Sequence, residues 1–321
     1  MGGNGGGGTA GAAMGGNGGN AGAPAGGMGG NGGGGTAGVA GSAGTATLCN
    51  GFTIPADHPN AARDYAGAPD VVADGVTGFT WEKAASDRGF MVYDSNCSSK
   101  TTGGLSGWRR PTLLELVSIV DYGVRDPAID GGSFPGTLSG YFSSSTPVFV
   151  EDIKAGSSPY GWSVDFKTGF WTNGTPPDAQ YRCVREATPR RCYRADERYQ
   201  PTPSSKVAEV RDAFSDLVWQ RVPAPEKKTW NEARSYCDGL GDGYRLPGVK
   251  ELMSIADFRI VKVTDPALDP VAFPGTPPDV FWSATPAAGS PSKHLGHSFQ
   301  GLFPTVSPFD STTLQYVRCV R

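Results

Sequence analysis

The sequence predicts an α+β protein of two tandem domains behind a Gly-rich stalk, each domain combining two helices with several short strands. Three observations predict this. The first is a duplication: Gly107-Trp108-Arg109-Arg110-Pro111, Glu115-Leu116, Ser118-Ile119 and Asp121 return as Gly243-Tyr244-Arg245-Leu246-Pro247, Glu251-Leu252, Ser254-Ile255 and Asp257. Each half then passes through Phe134-Pro135-Gly136-Thr137 or Phe273-Pro274-Gly275-Thr276 and closes on Arg182-Cys183-Val184-Arg185 or Arg318-Cys319-Val320-Arg321. The second observation is a set of helix-start signals followed by helical apolar spacing. The third is a succession of short apolar runs broken by Gly, Pro, Ser and Asp, which read as brief strands and turns.

The offsets between equivalent residues are 136 for Arg109 and Arg245, 139 for Phe134 and Phe273, and 136 for Cys183 and Cys319. So long a period exceeds that of solenoid repeats and matches an independent domain. It divides the chain into residues 1–47, a first domain over 48–187 and a second over 188–321. Residues 1–47 are almost entirely Gly, Ala, Asn, Thr and Ser. Nothing there can offset an ordering cost of roughly 1 to 2 kcal/mol per residue, so the stretch reads as a disordered linker. Glycine holds every third position from Gly26 to Gly44, as a collagen helix needs, but the register fails at Met14, Asn17, Asn20 and Ala23. Met1 is followed by neither a basic region nor an apolar run, and no stretch approaches the length of a membrane span. The cysteines nevertheless indicate an oxidising compartment, so the expected location is extracellular or at the cell surface, with the export signal upstream.

Within the first domain, Thr112 and Glu115 form a capping box ahead of Leu113, Leu116, Ile119 and Val120 on one helical face. Val249, Leu252, Ile255 and Ala256 match them in the second, behind the weaker cap Gly248. The second domain has another box at Thr229 and Glu232, with Ala233, Tyr236 and Cys237 following and Gly239 as the expected stop. The first domain lacks so clean a pattern between Trp81 and Cys97, where Gly89 interrupts. Trp162-Ser163-Val164-Asp165-Phe166 before Lys167-Thr168-Gly169 reads as a strand entering a hairpin. Glu115 and Glu251 are therefore assigned as caps, with Arg109 and Arg245, to a structural signature. Trp81 and Trp219 recur and belong in the cores, whereas Trp171 has no twin, adjoins Asn173-Gly174 and is the surface candidate.

Six cysteines allow 15 pairings, and the duplication reduces them, because equivalent residues should do equivalent things. Cys97 then pairs with Cys183 and Cys237 with Cys319, leaving Cys49 and Cys192 to each other. Closing loops of 86 and 82 positions (183 − 97 and 319 − 237) would stabilise each domain by roughly 4 to 5 kcal/mol. There is no Cys-x-x-Cys, and His58, His294 and His297 are not repeated, so neither a metal, a cofactor nor a Cys-His or Ser-His mechanism is expected. His294 and His297, in a Gly-, Ser- and Pro-rich stretch, read as surface loop residues.

Val76-Thr77-Gly78-Phe79-Thr80-Trp81, Phe214 to Gln220, Gly243 to Pro247, Phe281-Trp282-Ser283-Ala284-Thr285 and Tyr316 to Arg321 together resemble the Lcl C-terminal domain family, named for the end of a collagen-like adhesin. The resemblance spans nearly all of residues 71–321 and departs from the pattern slightly at Arg110 and at Phe142-Ser143-Ser144. It implies a C-type lectin-like fold, two helices on short irregular antiparallel strands, with a disulfide from the first helix to the last strand. It also implies a surface binding protein whose partner is a polysaccharide, sulfated or otherwise anionic. Lectin calcium motifs are absent, and Trp171-Thr172-Asn173 is only a faint echo of one. Two alternatives remain: a structural envelope or matrix protein that binds a protein partner, and a divergent enzyme on the similar fold of formylglycine-generating enzymes. That enzyme's cysteine pair has no counterpart here, so the expectation is no catalysis.

Charge separates the halves. Residues 48–187 carry 11 Lys and Arg against 16 Asp and Glu, net −5, and residues 188–321 carry 17 against 15, net +2. An anionic ligand should therefore meet the second domain, at Arg190, Arg191, Arg194, Arg198, Lys227, Lys228, Arg259 and Lys262, with Trp171 as an aromatic contact. Nucleic acid is not expected of a chain with net charge −3.

Overall fold

Strand β1 (Thr47–Gly51) opens the ordered part of the chain in the computed structural model, which describes residues 47–57, 63–86, 95–149, 161–187, 190–203, 207–260, 262–301 and 304–321. The linker expected over 1–47, except Thr47, and His58 lie outside these residues. The first repeat contains β2 (Tyr65–Gly67), β3 (Val71–Asp74), β4 (Phe79–Glu82), a single turn α1 (Ser95–Ser98), α2 (Leu113–Ser118), β5 (Tyr141–Pro147), β6 (Gly161–Asp165), β7 (Phe170–Asn173) and β8 (Val184–Glu186). Strand β9 (Arg191–Arg194) links it to the second repeat: β10 (Tyr199–Thr202), β11 (Glu209–Asp212), β12 (Val218–Gln220), α3 (Trp230–Leu240), α4 (Val249–Ser254), β13 (Val280–Ala287), β14 (Ser290–Ser298) and β15 (Val306–Asp310).

These strands form five small antiparallel sheets, ordered β1-β9, β2-β3-β4-β8, β5-β6-β7, β10-β11-β12 and β13-β14-β15. The expected α+β class is thereby corrected: strand outweighs helix 35% to 13% among the described residues, and the lectin-like plan of two full helices per domain is not what forms. The capping boxes do act where expected. Thr112 Oγ1 accepts from Glu115 N while Glu115 accepts from Thr112 N, and Glu232 likewise reaches back to Thr229 N. A cap, however, sets where a helix begins and not how far it runs. After six residues α2 stops, because Val120 leaves the helix to bridge Ile129. Among the described residues of the first repeat Cys97 lies in the single turn α1, while α3 runs through Gly239 to a left-handed Gly241 (φ 73°).

The described residues form one compact body. Its principal core draws on both repeats, joining Leu113 and Val117 of α2 to Val249 and Met253 of α4, and Trp171 of β7 to Val306 of β15. Helix α2 packs on α4 and β7 on β15, so equivalent elements meet each other, as in a two-fold isologous pair. A second cluster, around Trp219, Leu252, Phe273 and Phe281, belongs to the second repeat alone. Three disulfides hold the frame: Cys97–Cys183, Cys237–Cys319 and Cys49–Cys192. The first two are fully buried, and the third lies exposed across β1 and β9. Such bonds suit an oxidising environment. No helix among the described residues is long and apolar enough to cross a membrane.

Candidate functional site

The most repetitive residues of the chain turn out to be scaffolding. Arg182 and Arg318 are fully buried. The Arg182 guanidinium donates to Glu82 O (2.7 Å), Lys83 O and Thr137 Oγ1 (2.7 Å), and lies on the rings of Phe134 and Phe142. Arg318 repeats this with Gln220 O (2.6 Å), Arg221 O (2.5 Å), Thr276 Oγ1 (2.6 Å), Phe273 and Phe281. The Phe-Pro-Gly-Thr and Arg-Cys-Val-Arg segments are thus two parts of one lock. Burial pushes Arg182 down to about 10 despite the Glu82 carboxylate, and Arg318, with no such partner, down to about 9.

Arg109 and Arg245 grip Glu115 and Glu251 through both carboxylate oxygens (2.7 and 2.9 Å, 2.7 and 2.6 Å). Burial would raise Glu115, but Arg109 and Arg190 hold it below the usual carboxylate range. With those carboxylates also bonded to Thr112 N and Gly248 N, the signature fastens each helix start to the sheet beneath it.

The structure distributes the basic residues over several places. Arg190 is nine-tenths buried, paired with Glu115 and Glu186 at 2.6 Å each. Arg191 donates to Phe214 O at 2.7 Å. Exposed Arg194 pairs with Asp196 and Glu197 at 3.4 Å, and Lys227 with Asp279 at 2.7 Å. Lys228 sits over the Tyr236 ring, and Lys262 is exposed. Arg198 and Arg259 come together in a cleft of about 350 Å³. Trp171 is not on the surface: it is buried, packs edge-on to His297 and donates Nε1–H to Pro304 O at 2.8 Å. Its twin position in the second repeat is Val306, since Val164 opposes Trp171 where His297 opposes Val306, so it fills the joint between repeats. The two histidines are likewise not loop residues. Both lie in β14, His297 sealed in the core and His294 stacked 3.6 Å from Trp230.

The cleft lies where the β1–β9 ribbon faces the second repeat, and Asn50, Tyr193, Arg198, Tyr199, Asp257, Arg259 and Asp269 line it. Tyr193 Oη donates to Asn50 Oδ1 (2.9 Å). Arg198 lies on the Tyr199 ring and donates to Asp212 (2.9 Å) and Ser254 O (2.6 Å). Burial opposes the charge of Arg198, yet Tyr199 and Asp212 raise its pKa above the usual arginine value. Arg259 clasps Asp257 through both oxygens (2.9 and 2.8 Å), which keeps that carboxyl low against its burial. Donors and acceptors thus share the cleft with two tyrosines, and most are held by a neighbour. A larger cleft of about 380 Å³ contains Arg190 and Arg191 with Asp74 as its carboxylate, and its lining has neither a tyrosine nor an amide side chain, so it presents fewer kinds of directed group.

Residues 70–185 and 208–321 each match the Lcl C-terminal domain. The chain belongs to the Lcl C-terminal domain family. Its two copies are the two halves that the duplication marks out. No curated protein matches the chain. The basic residues alone did not lead to Asn50, Tyr193, Tyr199 or Asp269 as lining residues of this family member's cleft. Asp257 carried a usable signal, because it recurs as Asp121 within the duplicated segment.

Proposed function

We propose that this Lcl C-terminal domain protein is a non-catalytic binding protein of the cell exterior that recognises polysaccharide through the second-repeat cleft. The observation that carries this reading is the cleft's lining: carboxylates, guanidiniums, an amide and tyrosines, preset by mutual hydrogen bonds on a disulfide-braced frame. Hydroxyl-rich ligands suit such a surface, since each hydroxyl both donates and accepts. Concave sites with a few convergent polar groups are the usual form of small-ligand pockets, and a preset site limits the ordering cost of binding.

A strongly anionic glycan is the less favoured ligand. Arg190, Arg194, Arg198, Lys227 and Arg259 each have a carboxylate partner, so a polyanion would have to displace acids already in place. The test is binding of the intact oxidised chain to dextran, mannan and galactan beside heparin, at low and moderate salt. Saturable binding to a neutral polysaccharide that changes little with salt and weakens about tenfold in Arg259→Ala is the expected result. Binding confined to heparin and abolished by salt would return the anionic reading. Folded protein that binds none of the four would point to a protein partner.

A further inference from the structure

The residues that frame the second-repeat cleft have counterparts in the first repeat with the same contacts, and the two sets differ at two positions that matter for a ligand. Arg63 occupies the place of Arg198: it pairs with Asp74 (3.6 Å), donates to Ser118 O and lies on Tyr65, as Arg198 does with Asp212, Ser254 O and Tyr199. Asp121 accepts from Gly123 N at 2.8 Å as Asp257 does from Arg259 N at 2.9 Å. Asp130 Oδ1 takes the amides of Gly132 (2.9 Å) and Ser133 (3.4 Å), and Asp269 Oδ1 those of Val271 (2.8 Å) and Ala272 (2.9 Å). Frame and turn are therefore conserved between the copies, down to which carboxylate oxygen is used.

The remaining oxygen is where they part. In the first repeat Ser133 Oγ donates to Asp130 Oδ2 at 2.9 Å, so that carboxylate is satisfied within its own turn. In the second, Ala272 stands where Ser133 does and has no hydroxyl to give. Asp269 Oδ2 accepts no hydrogen bond from the described residues, and Asp269 lines the cleft. At the other changed position Gly123 is replaced by Arg259, an exposed guanidinium that bonds Asp257 and is within electrostatic reach of Asp269. The second copy has thus exchanged an internal hydroxyl for an outward acceptor and a bare backbone for a reaching donor.

We infer that Asp269 and Arg259 are the specificity-determining pair, that they select adjacent hydroxyls of a neutral sugar, and that ligand binding is confined to the second repeat. One hydroxyl donates to Asp269 Oδ2, and its neighbour accepts from the Arg259 guanidinium. Each bond has a charged partner and is therefore of the stronger kind. This inference rests on the polysaccharide reading above and names the chemical feature that the cleft recognises.

The test uses the intact oxidised chain and whichever of dextran, mannan or galactan it binds best, before and after periodate oxidation, which cleaves vicinal diols. Ala272→Ser restores the hydroxyl that Ser133 supplies in the first repeat and should weaken binding at least about tenfold without changing net charge. Arg259→Gly, which copies Gly123, should do the same, and Asp269→Asn provides a third variant should the buried Ala272 site refuse the hydroxyl. Ser133→Ala in the first repeat should leave affinity unchanged, and periodate treatment of the glycan should remove binding. Affinity retained within twofold in Arg259→Gly and Asp269→Asn, or undiminished on the oxidised glycan, would overturn the inference while leaving the polysaccharide reading intact. Absence of binding by the unaltered chain to every glycan would overturn that reading and the inference with it.

Discussion

The two repeats solve the same local problems with different residues, and the second does so at greater risk. At the start of α2 the N-cap is Thr112, whose hydroxyl accepts from Glu115 N, while at the start of α4 it is Gly248, which has no side chain. There Asp57, from the segment ahead of the first repeat, reaches in to accept from Val249 N (2.8 Å), Lys250 N (3.1 Å) and Thr285 Oγ1 (2.5 Å). Where the first repeat has Leu114, the second buries Lys250, whose Nζ donates to Ala56 O, Ser118 O and Val120 O at 3.0, 3.3 and 2.6 Å. Where the first has the core residue Val164, the second has His297. At the helix start the first repeat supplies its own cap, and the second depends on Asp57 for it.

The largest effect should come from breaking that dependence. Asp57→Ala leaves three donors and the buried Lys250 ammonium without their carboxylate, and burial already disfavours both charges, lowering the lysine and raising the aspartate. A loss of roughly 3 to 5 kcal/mol in urea unfolding is expected. A loss below about 1 kcal/mol would mean that Asp57 merely rests on the helix.

Next comes the contrast between His297 and Val164. Burial pushes His297 down to about 4, and its Nδ1 is bonded to Ser298 O, with Trp171 and Phe299 against the ring. The unfolded chain takes up this proton near pH 6.5 and the folded chain only near 4. Between those values the unfolded state alone gains protons, so stability present above pH 6.5 should fall as pH drops toward 4, by up to roughly 3 kcal/mol. His297→Val, which copies the first repeat, should flatten that part of the profile. An unchanged slope in the variant would assign it to the carboxylates instead.

The smallest effect sharpens the comparison from the other side. Thr112→Ala removes an ordinary side-chain cap and should cost about 1 kcal/mol, well under the Asp57 substitution. Equal costs would erase the distinction between a helix capped by its own residue and one capped from afar.

What could be read in the sequence follows the same line. The duplication, the cysteine pairs and the starts of α2 and α3 are patterns within a short window or equalities between the halves, and both can be seen without coordinates. Asp57 above α4, Trp171 against Pro304 and His297 in the core depend on contacts between residues far apart along the chain. Nothing near Trp171 says that the other copy will cover it. His297 takes a core position only once Phe281 is known to be its partner across the sheet, the relation Val164 bears to Phe142. The class is not legible because most strands span only three to five residues and show too little alternation to weigh against two clear helix starts. The cleft was partly legible, through Arg198 and Arg259, but net charge says nothing of which cations already have partners.

The Asp57 cap also bears on how such a chain is made and how it diverges. Synthesis runs from the N-terminus, so the carboxylate for α4 is made long before the helix it will close. With that carboxylate in place α4 needs no capping side chain at position 248, and a Cβ there would run into Asp57. The arrangement makes a segment ahead of the first copy a working part of the second.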